Sequence, residues 1–473
     1  MRLRKSNGVI MRKVKLVTDK CSFKPPQPKK VRFPWFLPVS FLAARKNLLS
    51  ILADTLFTIK MGKVPLLTRS LYFVNAPETF KPILKNKDMN FPKSKEFIYA
   101  LRPLLGDSIF TSNGDVWLKR RAMVEPSFAS LKLRRAFPDM KSACEDMVKR
   151  LKNKQKEVIN LDAEMAHITA DIIYRTIFSR PLTDADAART YTAFNEYIDS
   201  IPQWDLAEAF SLPNWVPRRS RKESYRAGGA VRDQMKAHID DRMADPDQDK
   251  YDDMLSVLLG ARYEDGTPFS DEELIDELAL LFMAGHETSA AGLTWATYLV
   301  LNYPDTQARM RKEALPLVDG KFSYEESIKL KYTKNVFKEA LRLYPPIAFL
   351  TRQNIQTQKV RRWNVKAGSM VFISPWVIHR HKDHWQEPDD FVPERFEDKS
   401  CAKAVADHFI PFSMGQRVCP GAAFALLEGP VILAYLFSYF DVKMVEGQTV
   451  LPRVRISTRP QEEIQIRVKA RFT

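Results

Sequence analysis

Cys419 lies in the segment FSMGQRVCPG, close to two glycines and an arginine, Gly415, Gly421 and Arg417. A thiolate can act as a nucleophile, as a zinc ligand or as a ligand of haem iron. A nucleophile needs a neighbouring base and zinc needs further thiolates or imidazoles, and the sequence around Cys419 offers neither. Haem accounts for more of the segment, because the glycines let the backbone direct N–H groups at the sulfur. Arg417 would then pair with a haem propionate, and Phe412 would shield the sulfur.

Three histidines, His379, His381 and His384, form an H-x-H-x-x-H pattern elsewhere in the chain. Imidazoles are common zinc ligands, so this pattern is a second candidate for metal chemistry. No cysteine lies near it in the sequence. A zinc site is therefore the weaker of the two metal hypotheses.

The composition of the 473-residue chain excludes several classes of protein. No two of its 16 glycines are spaced as G-x-G, which argues against a built-in nicotinamide-binding domain. The formal net charge of +17 is spread along the chain without a nucleic-acid-binding motif, so it favours an acidic protein partner and no nucleic acid. Cys21, Cys144 and Cys401 are widely spaced, which predicts inert buried thiols in a reducing, cytoplasmic compartment.

The N-terminus is basic and contains several prolines. Its first 20 residues carry seven Lys or Arg against one acid, which predicts that residues 1–30 form a disordered arm. An organelle transit peptide is the alternative interpretation. The best apolar run, Phe33–Ala44, is shorter than the ~18–20 residues that a membrane span needs, and it contains two prolines. We therefore expect no transmembrane anchor.

A long helix is predicted from Asp271 to Tyr303. Ser270 and Glu273 form a capping box at its start, and Pro304 ends it. The helix would be ~50 Å long at 1.5 Å per residue. Its middle, LALLFMAGHETSAAGLTWA, is apolar on nearly all sides and should pass through the core. The polar residues GHETS inside this apolar stretch are therefore candidates for chemistry.

A second helix is predicted within IKLKYTKNVFKEALRLYPP, where Tyr332, Val336 and Ala340 define a buried face. Glu339 and Arg342 are three residues apart and can share another face of this helix. Strand-like segments are few and short: Leu71–Asn75, Ser369–Ser374 and Ile464–Val468. The sequence thus predicts a mainly α fold with small β-sheets.

Five motifs together carry a resemblance to a known family. FSMGQRVCPG resembles the haem-binding loop F-x-x-G-x-R-x-C-x-G of the cytochrome P450 monooxygenases, with every fixed position present. AGHETS resembles the family's oxygen-activating helix motif, EALR its E-x-x-R pair, PERF the segment that adds an arginine to that pair, and WLKRR its W-x-x-x-R motif. The resemblance covers residues 31–473. It implies one large domain around a buried haem b, similar to the soluble bacterial members.

The resemblance implies a role for each matching residue. Cys419 would be the axial thiolate ligand of the iron, with Phe412, Gly415 and Gly421 around it. The haem propionates would be bound by four side chains: Trp117, Arg121, Arg352 and Arg417. A structural ion triad would lie behind the haem: Glu339, Arg342 and Arg395. In the long helix, Glu287 and Thr288 would deliver protons, and Gly285 would leave space for oxygen.

The implied reaction inserts one atom of O2 into an apolar substrate, such as a fatty-acid-like molecule or a secondary metabolite. The residues expected to line the substrate pocket are all apolar: Ile109, Phe110, Leu281, Ala284, Ile347, Ala348 and Phe349. They could equally be core residues. A peroxide-driven peroxygenase and a non-catalytic haem sensor are the alternatives, and the pair Glu287–Thr288 counts against both.

Electrons must come from a separate protein, because the sequence contains no flavin or iron–sulfur domain. NAD(P)H would therefore act only indirectly, through an acidic ferredoxin or flavodoxin with its reductase. The expected docking face is basic: Lys119, Arg120, Lys132, Arg134 and Arg135. A merely solvated basic face is the alternative, and we expect the protein itself to be a monomer.

Overall fold

The computed structural model describes residues 23–28, 47–65, 69–86, 89–128, 130–182, 184–201 and 222–472. Helices dominate these residues, as the sequence predicts. Before the long central helix they are α1 Pro77–Leu84, α2 Lys95–Leu105, α3 Gly114–Val124, α4 Ser130–Asn153, α5 Leu161–Phe178, α6 Asp184–Ser200, α7 Lys222–Ala244 and α8 Met254–Gly260. From the central helix onward they are α9 Asp271–Asn302, α10 Pro304–Glu313, α11 Leu315–Val318, α12 Tyr324–Ser327, α13 Lys331–Leu343, α14 Pro375–Ile378, α15 Ala402–His408 and α16 Ala422–Tyr439.

The strands are short, also as the sequence predicts. They are β1 Met61–Pro65, β2 Ser70–Val74, β3 Ile159–Asn160, β4 Leu350–Gln353, β5 Gln358–Val360, β6 Trp363–Val365, β7 Met370–Ile373, β8 Phe440–Met444, β9 Pro452–Val454, β10 Thr458–Pro460 and β11 Gln465–Ala470. The largest sheet has the order β1-β2-β7-β4, and only its β2–β7 pair is parallel. A second sheet has the order β3-β11-β8, and β5–β6 and β9–β10 are two-stranded. The three predicted strand segments correspond to β2, β7 and β11.

The central helix α9 begins where its sequence predicts. The Ser270 side chain accepts from the Glu273 backbone N–H, and the Glu273 carboxylate accepts from the Ser270 N–H, which completes the capping box. The helix ends at Asn302, just before the predicted end, because Pro304 cannot continue it and starts α10 instead. The predicted second helix is α13, whose buried face includes Tyr332, Val336 and Ala340.

Two large groups of buried side chains form the core, and α9 crosses both. Its first half, Leu274–Met283, packs with α2, α5, α7 and α8 in the distal cluster. Its second half, Ala290–Val300, packs with α4, α13 and α16 in the basal cluster. Residues 284–289 lie between the two halves and belong to neither cluster. The polar residues that the sequence singles out are therefore at the boundary of the two clusters.

Most of the predicted N-terminal arm, including Cys21, lies outside the described residues, as does Phe33–Ala44. Residues 23–28 of the arm lie against the fold: Tyr303 donates to the Phe23 carbonyl and Tyr344 to the Pro26 carbonyl, each at 3.0 Å. Cys144 and Cys401 are buried, as predicted.

One described helix, α16, is long and apolar enough to cross a membrane by length and composition. The sequence analysis did not identify this segment. In the structure, 72% of it is buried inside the fold, as is usual for a core helix.

Candidate active site

The segment around Cys419 forms a closed loop before α16. The Cys419 N–H donates to the Phe412 carbonyl at 2.9 Å, which brings the two ends of the loop together. Gly415 has φ +74°, and a Cβ at this position would lie 2.1 Å from the Leu84 carbonyl oxygen of α1. Only glycine fits here, because both the backbone conformation and the contact with α1 exclude a side chain.

Cys419 is an exposed residue, although its thiol is closely surrounded by atoms of the fold. Burial raises the pKa of its thiol, while a hydrogen bond from the Gly421 backbone N–H and the positive charge of Arg121 oppose that rise. The Gly421 backbone is not crowded against the sulfur, since even a Cβ added to Gly421 would lie 3.9 Å from it. The N–H donor that the sequence analysis expected from the glycines is therefore provided by Gly421.

Two arginines near the loop lack a carboxylate partner among the described residues. Arg417 donates to the Ser112 carbonyl and to Asn113 Oδ1, at 3.2 and 3.0 Å. Arg352 is buried, and within the part of the chain that the structure describes its guanidinium donates to the Thr351 carbonyl alone. Burial and repulsion by Arg352 lower the pKa of Arg417 to about 9, and burial lowers that of Arg352 to about 10. Arg352 is buried and Arg417 is partly buried, and two positive side chains that repel each other in such a place are stabilised by a bound anion.

Lys93 joins this positive cluster, and the sequence analysis missed it. Burial, followed by repulsion from Arg417 and Arg352, holds the pKa of Lys93 well below its ordinary value. Its ammonium donates to the Ile109 carbonyl at 2.8 Å. No local motif marks this lysine, because its neighbours come from distant parts of the chain.

The W-x-x-x-R motif lies on α3 and contacts the cysteine loop. Trp117 is buried, and the Arg417 guanidinium stacks on its ring at 4.2 Å from the ring centre. Arg121 donates to the Val418 carbonyl at 3.0 Å, directly before Cys419, and forms an ion pair with Glu125. α3 is thus fixed to the cysteine loop at two points.

These residues fit a haem. An exposed cysteine supplied with an N–H donor suits iron, and a cluster of unpaired buried cations suits the two propionates. Arg352, Arg417 and Lys93 would bind the propionates together with Arg121, while Trp117 would support Arg417. When bound, a thiolate-ligated haem supplies the activation of O2.

The ion triad is present and fully buried. Glu339 receives two hydrogen bonds from Arg342, at 2.7 and 2.8 Å, and one from Arg395 at 3.0 Å. All three side chains have no solvent exposure. The remaining guanidinium N–H groups of Arg342 donate to backbone carbonyls: His379, Pro388 and Asp390. The triad therefore joins α13 to the segment that leads to the cysteine loop.

Thr288 and Ala284 lie on an accessible part of α9, although the helix is buried on either side. The Thr288 hydroxyl donates to the Ala284 carbonyl at 2.8 Å, one helical turn before it. Gly285 faces a different neighbour: a Cβ there would lie 2.6 Å from Ile173 of α5. Gly285 thus permits close packing of α9 on α5, and its expected role in leaving space for oxygen stays a prediction.

Glu287 is adjacent to Thr288 in the sequence, but its side chain binds other groups. Its carboxylate accepts from Ser457 at 2.6 Å and forms an ion pair with Arg459 of β10. Arg459 also pairs with Asp162 of α5 at 2.6 Å. Burial tends to raise the pKa of Glu287, but Arg459 lowers it below the ordinary value. Glu287 is therefore an ionised carboxylate held by Ser457 and Arg459, and among the described residues the structure shows no hydrogen bond between it and the Thr288 hydroxyl.

The structure groups some of the predicted pocket residues and separates others. Ile109 and Leu281 are buried in the distal cluster, and Phe110 packs on it. Ala348 and Phe349 lie in or against the basal cluster. Ile347 is partly buried and directly precedes Ala348 in the sequence, four residues after the end of α13. Ile456, on the turn between β9 and β10, also packs on the distal cluster, and the sequence analysis missed it.

The predicted basic docking face needs a correction at Arg120. Its side chain is buried and bonded to acids of α9, at 3.2 Å from Asp276 and 3.3 Å from Glu273. Adjacent helix positions are rotated by about 100°, so Arg120 faces inward while Lys119 is exposed. Arg134 and Arg135 are exposed but paired with Glu325 and Asp252, and the Lys132 side chain lies outside the described residues.

The histidine pattern is not a zinc site. Both ring nitrogens of His379 form hydrogen bonds within the fold, one with the Arg342 carbonyl and one with the Ile410 N–H. His381 likewise contacts the Ile59 carbonyl and the Asp383 N–H. Within the described residues, no group of three or more His, Cys, Asp or Glu side chains could hold a metal ion.

Comparison with known proteins decides the family. The family model described as Cytochrome P450 matches residues 25–468. The chain belongs to the cytochrome P450 family. It is a cytochrome P450 monooxygenase, and its family implies a haem iron cofactor, O2, an apolar substrate and a redox partner.

Similar P450 enzymes come from bacteria and from plants. Cyclooctatin synthase of Streptomyces melanosporofaciens is 29% identical over 402 residues, which cover 82% of this chain and 84% of the relative. Cytokinin hydroxylase of Arabidopsis thaliana is 28% identical, and the alignment covers 77% of this chain and 72% of the relative. For 11-oxo-beta-amyrin 30-oxidase of Glycyrrhiza uralensis, which is also 28% identical, the alignment covers 82% of this chain and 76% of the relative. The similarity therefore does not assign this P450 to the bacterial members.

Proposed function

We propose that this P450 hydroxylates an apolar substrate, of a fatty-acid-like or secondary-metabolite class, with electrons from a separate acidic protein. The observation that carries the proposal is that Ala284 and Thr288 are accessible on α9, beginning about one turn after the buried apolar side chain of Leu281, while Ile109 and Phe110 lie in or against the same distal cluster as Leu281. An apolar lining with one hydroxyl group is suited to an apolar molecule whose orientation depends mainly on shape. The names of the relatives, a synthase, a hydroxylase and an oxidase, support oxidation of organic molecules.

The substrate class is tested by difference spectra of the purified haem protein. A ligand that displaces water from the iron shifts the Soret band, so fatty acids, terpenes and small aromatic compounds can be compared directly. We expect shifts with apolar members of this library. Turnover should then require an electron donor with NAD(P)H, and product formation with hydrogen peroxide alone would favour the peroxygenase alternative.

Thr288→Ala should uncouple electron use from product formation. The hydroxyl of Thr288 is the polar group on the accessible part of α9, where it can hold a proton close to bound oxygen. We expect NAD(P)H consumption to continue, peroxide release to rise and the coupled rate to fall about 10–100-fold, or ~1.4–2.7 kcal/mol.

Thr288→Ser is the matched control, because it keeps the hydroxyl and should retain most of the coupling. Unchanged coupling in Thr288→Ala would show that another group delivers the proton.

The proposed docking face for the electron donor lies around the cysteine loop. Lys119 is exposed there, and the apolar side chains Leu118 and Val418 are 47% and 38% exposed. Arg121, one turn after Leu118, contacts Val418. An acidic ferredoxin or flavodoxin would be steered by the lysine and would cover the apolar pair.

Lys119→Glu should slow reduction by an acidic ferredoxin and should weaken the dependence of that rate on salt, since an exposed charge mainly affects association. The rate is measured by stopped-flow absorbance at several ionic strengths. Lys443→Glu, at an exposed position of β8, is the control for net charge. Equal effects of the two variants would reject a local docking role for Lys119.

A further inference from the structure

The segment between α2 and α3, residues 106–113, carries Ile109 and Phe110 of the proposed pocket. The peptide units on both sides of Ile109 are held by charged side chains. Its N–H donates to the Glu277 carboxyl group of α9, at 3.0 and 3.3 Å from the two oxygens. Its carbonyl accepts from the Lys93 ammonium at 2.8 Å.

We propose that this contact of Glu277 and Lys93 with the Ile109 backbone, the Ile109 clamp, sets the shape of the substrate pocket. Glu277 and Lys93 are then positioning residues for substrate selection. Arg120 holds the Glu277 carboxyl group in place. The inference rests on the proposed apolar pocket, but the clamp itself can be measured without it.

The side chains that form the clamp are buried. The Glu277 side chain has no exposure, and Ile109 and Lys93 are 7% and 8% exposed. A hydrogen bond from a buried amide to a carboxyl group contributes more than one on the surface, and losing the acceptor leaves the amide unpaired. The position of Ile109 should therefore depend strongly on Glu277.

Neighbouring acids of α9 hold the segment at a second point. The Asp107 N–H donates to Asp276 Oδ2 at 2.9 Å. Gly106, with φ +47°, lies so close to Asp276 that a Cβ would be 1.9 Å from its oxygen. Arg120 lies 3.2 Å from Asp276 and 3.6 Å from Glu277, so one buried guanidinium holds both acids in place. Two successive side chains of α9 thus fix alternate backbone N–H groups of the segment.

The other end of the segment is connected to the cations of the haem site. Asn113 Oδ1 accepts from the Lys93 backbone N–H at 3.1 Å and from Arg417 at 3.0 Å. The Lys93 ammonium lies 5.5 Å from the centre of the Phe110 ring. The clamp therefore joins α9, the pocket segment and the cysteine loop in one continuous network.

The chemistry of Glu277 makes a conservative variant available. Burial raises its pKa to about 8, although Ile109 and Arg120 oppose the rise. A carboxamide has the size of a carboxyl group and also presents an oxygen that can accept a hydrogen bond. Glu277→Gln should therefore keep an acceptor for the Ile109 N–H, whereas Glu277→Leu removes it at a similar volume.

The first measurement is residue-resolved hydrogen–deuterium exchange of the full-length protein. In the wild type, the Ile109 amide should exchange slowly although it lies outside any helix or strand. The neighbouring Phe110 amide, for which the structure shows no hydrogen bond among the described residues, should exchange faster. Exchange at Ile109 should accelerate about tenfold or more in Glu277→Leu and stay near wild type in Glu277→Gln. A wild-type Ile109 amide that exchanges as fast as Phe110 would overturn the clamp without any variant.

The second measurement compares two iron ligands, imidazole and 4-phenylimidazole, by Soret titration. Imidazole needs only the iron, whereas the phenyl ring needs the pocket. We expect Glu277→Leu to raise the Kd of 4-phenylimidazole about tenfold, to change that of imidazole less than about twofold, and Glu277→Gln to restore both. Equal weakening of both ligands would overturn the role in selection, because it would indicate general damage to the haem site. A wild type that does not prefer 4-phenylimidazole would contradict the apolar pocket itself, whatever the exchange at Ile109.

Discussion

Cys419→Ser should abolish the long-wavelength Soret band of the reduced, CO-bound protein. That band depends on a thiolate ligand of the haem iron, and a serine hydroxyl would not donate comparable electron density to iron. Cys419 is accessible and receives an N–H donor from Gly421, while Cys144 and Cys401 are buried. We expect complete loss of the band and of NAD(P)H-dependent product formation.

The matched control is Cys401→Ser, which removes another of the four cysteines and should leave the band intact. Haem content is measured separately by the pyridine haemochrome method, so that loss of the band can be distinguished from loss of haem. A Cys419→Ser protein that retains both haem and the band would refute the ligand assignment.

Glu339→Ala should cause a large loss of stability. In the wild type, Arg342 and Arg395 both pair with Glu339, and none of the three side chains is exposed to solvent. The substitution would leave the two arginines as buried charges without a counter-charge. Breaking a buried ion pair by removing one partner costs about 3–5 kcal/mol. Urea unfolding of the haem protein, followed by far-UV circular dichroism and by Soret absorbance, measures this difference.

Lys329→Ala is the control, because Lys329 and Glu326 have the same i, i+3 spacing but the lysine is 65% exposed. Its removal should cost less than about 1 kcal/mol. If the two variants unfold at similar urea concentrations, the triad does not stabilise the fold in the way that its burial indicates.

Short-range chemistry made part of the site predictable from the sequence. The cysteine loop must close around one sulfur, so its glycine, arginine and cysteine keep a fixed spacing that can be recognised without a structure. The capping box at Ser270 and Glu273 is equally local, and α9 begins where it predicts. Family membership and the mainly α fold followed from such local patterns, and the family match over residues 25–468 confirms them.

The contacts that could not be predicted join residues far apart in the chain. Arg459 reaches Glu287 over a separation of 172 residues, and Glu277 reaches the Ile109 N–H over 168. The hydrophobic periodicity of the sequence does not indicate which of the many arginines and acids will form an ion pair or a hydrogen bond. The error at Arg120 has a similar cause, because a run of basic residues gives composition but not the direction in which each side chain leaves the helix. The close packing of Gly285 could not be predicted either, because its neighbour, Ile173, comes from another helix.

The division of α9 between two core clusters has a consequence for how this enzyme could diversify. Substitutions of the apolar residues along Leu274–Met283, with Asp276 and Glu277 left unchanged, act mainly on the distal cluster, while the ion triad is supported by residues of the basal cluster. A mutational library confined to the distal half should therefore yield many folded, haem-containing variants with new ligand preferences. A library of equal size along Ala290–Val300 should yield mostly insoluble protein. The same helix would thus be tolerant of selection for new substrates at one end and strongly constrained at the other.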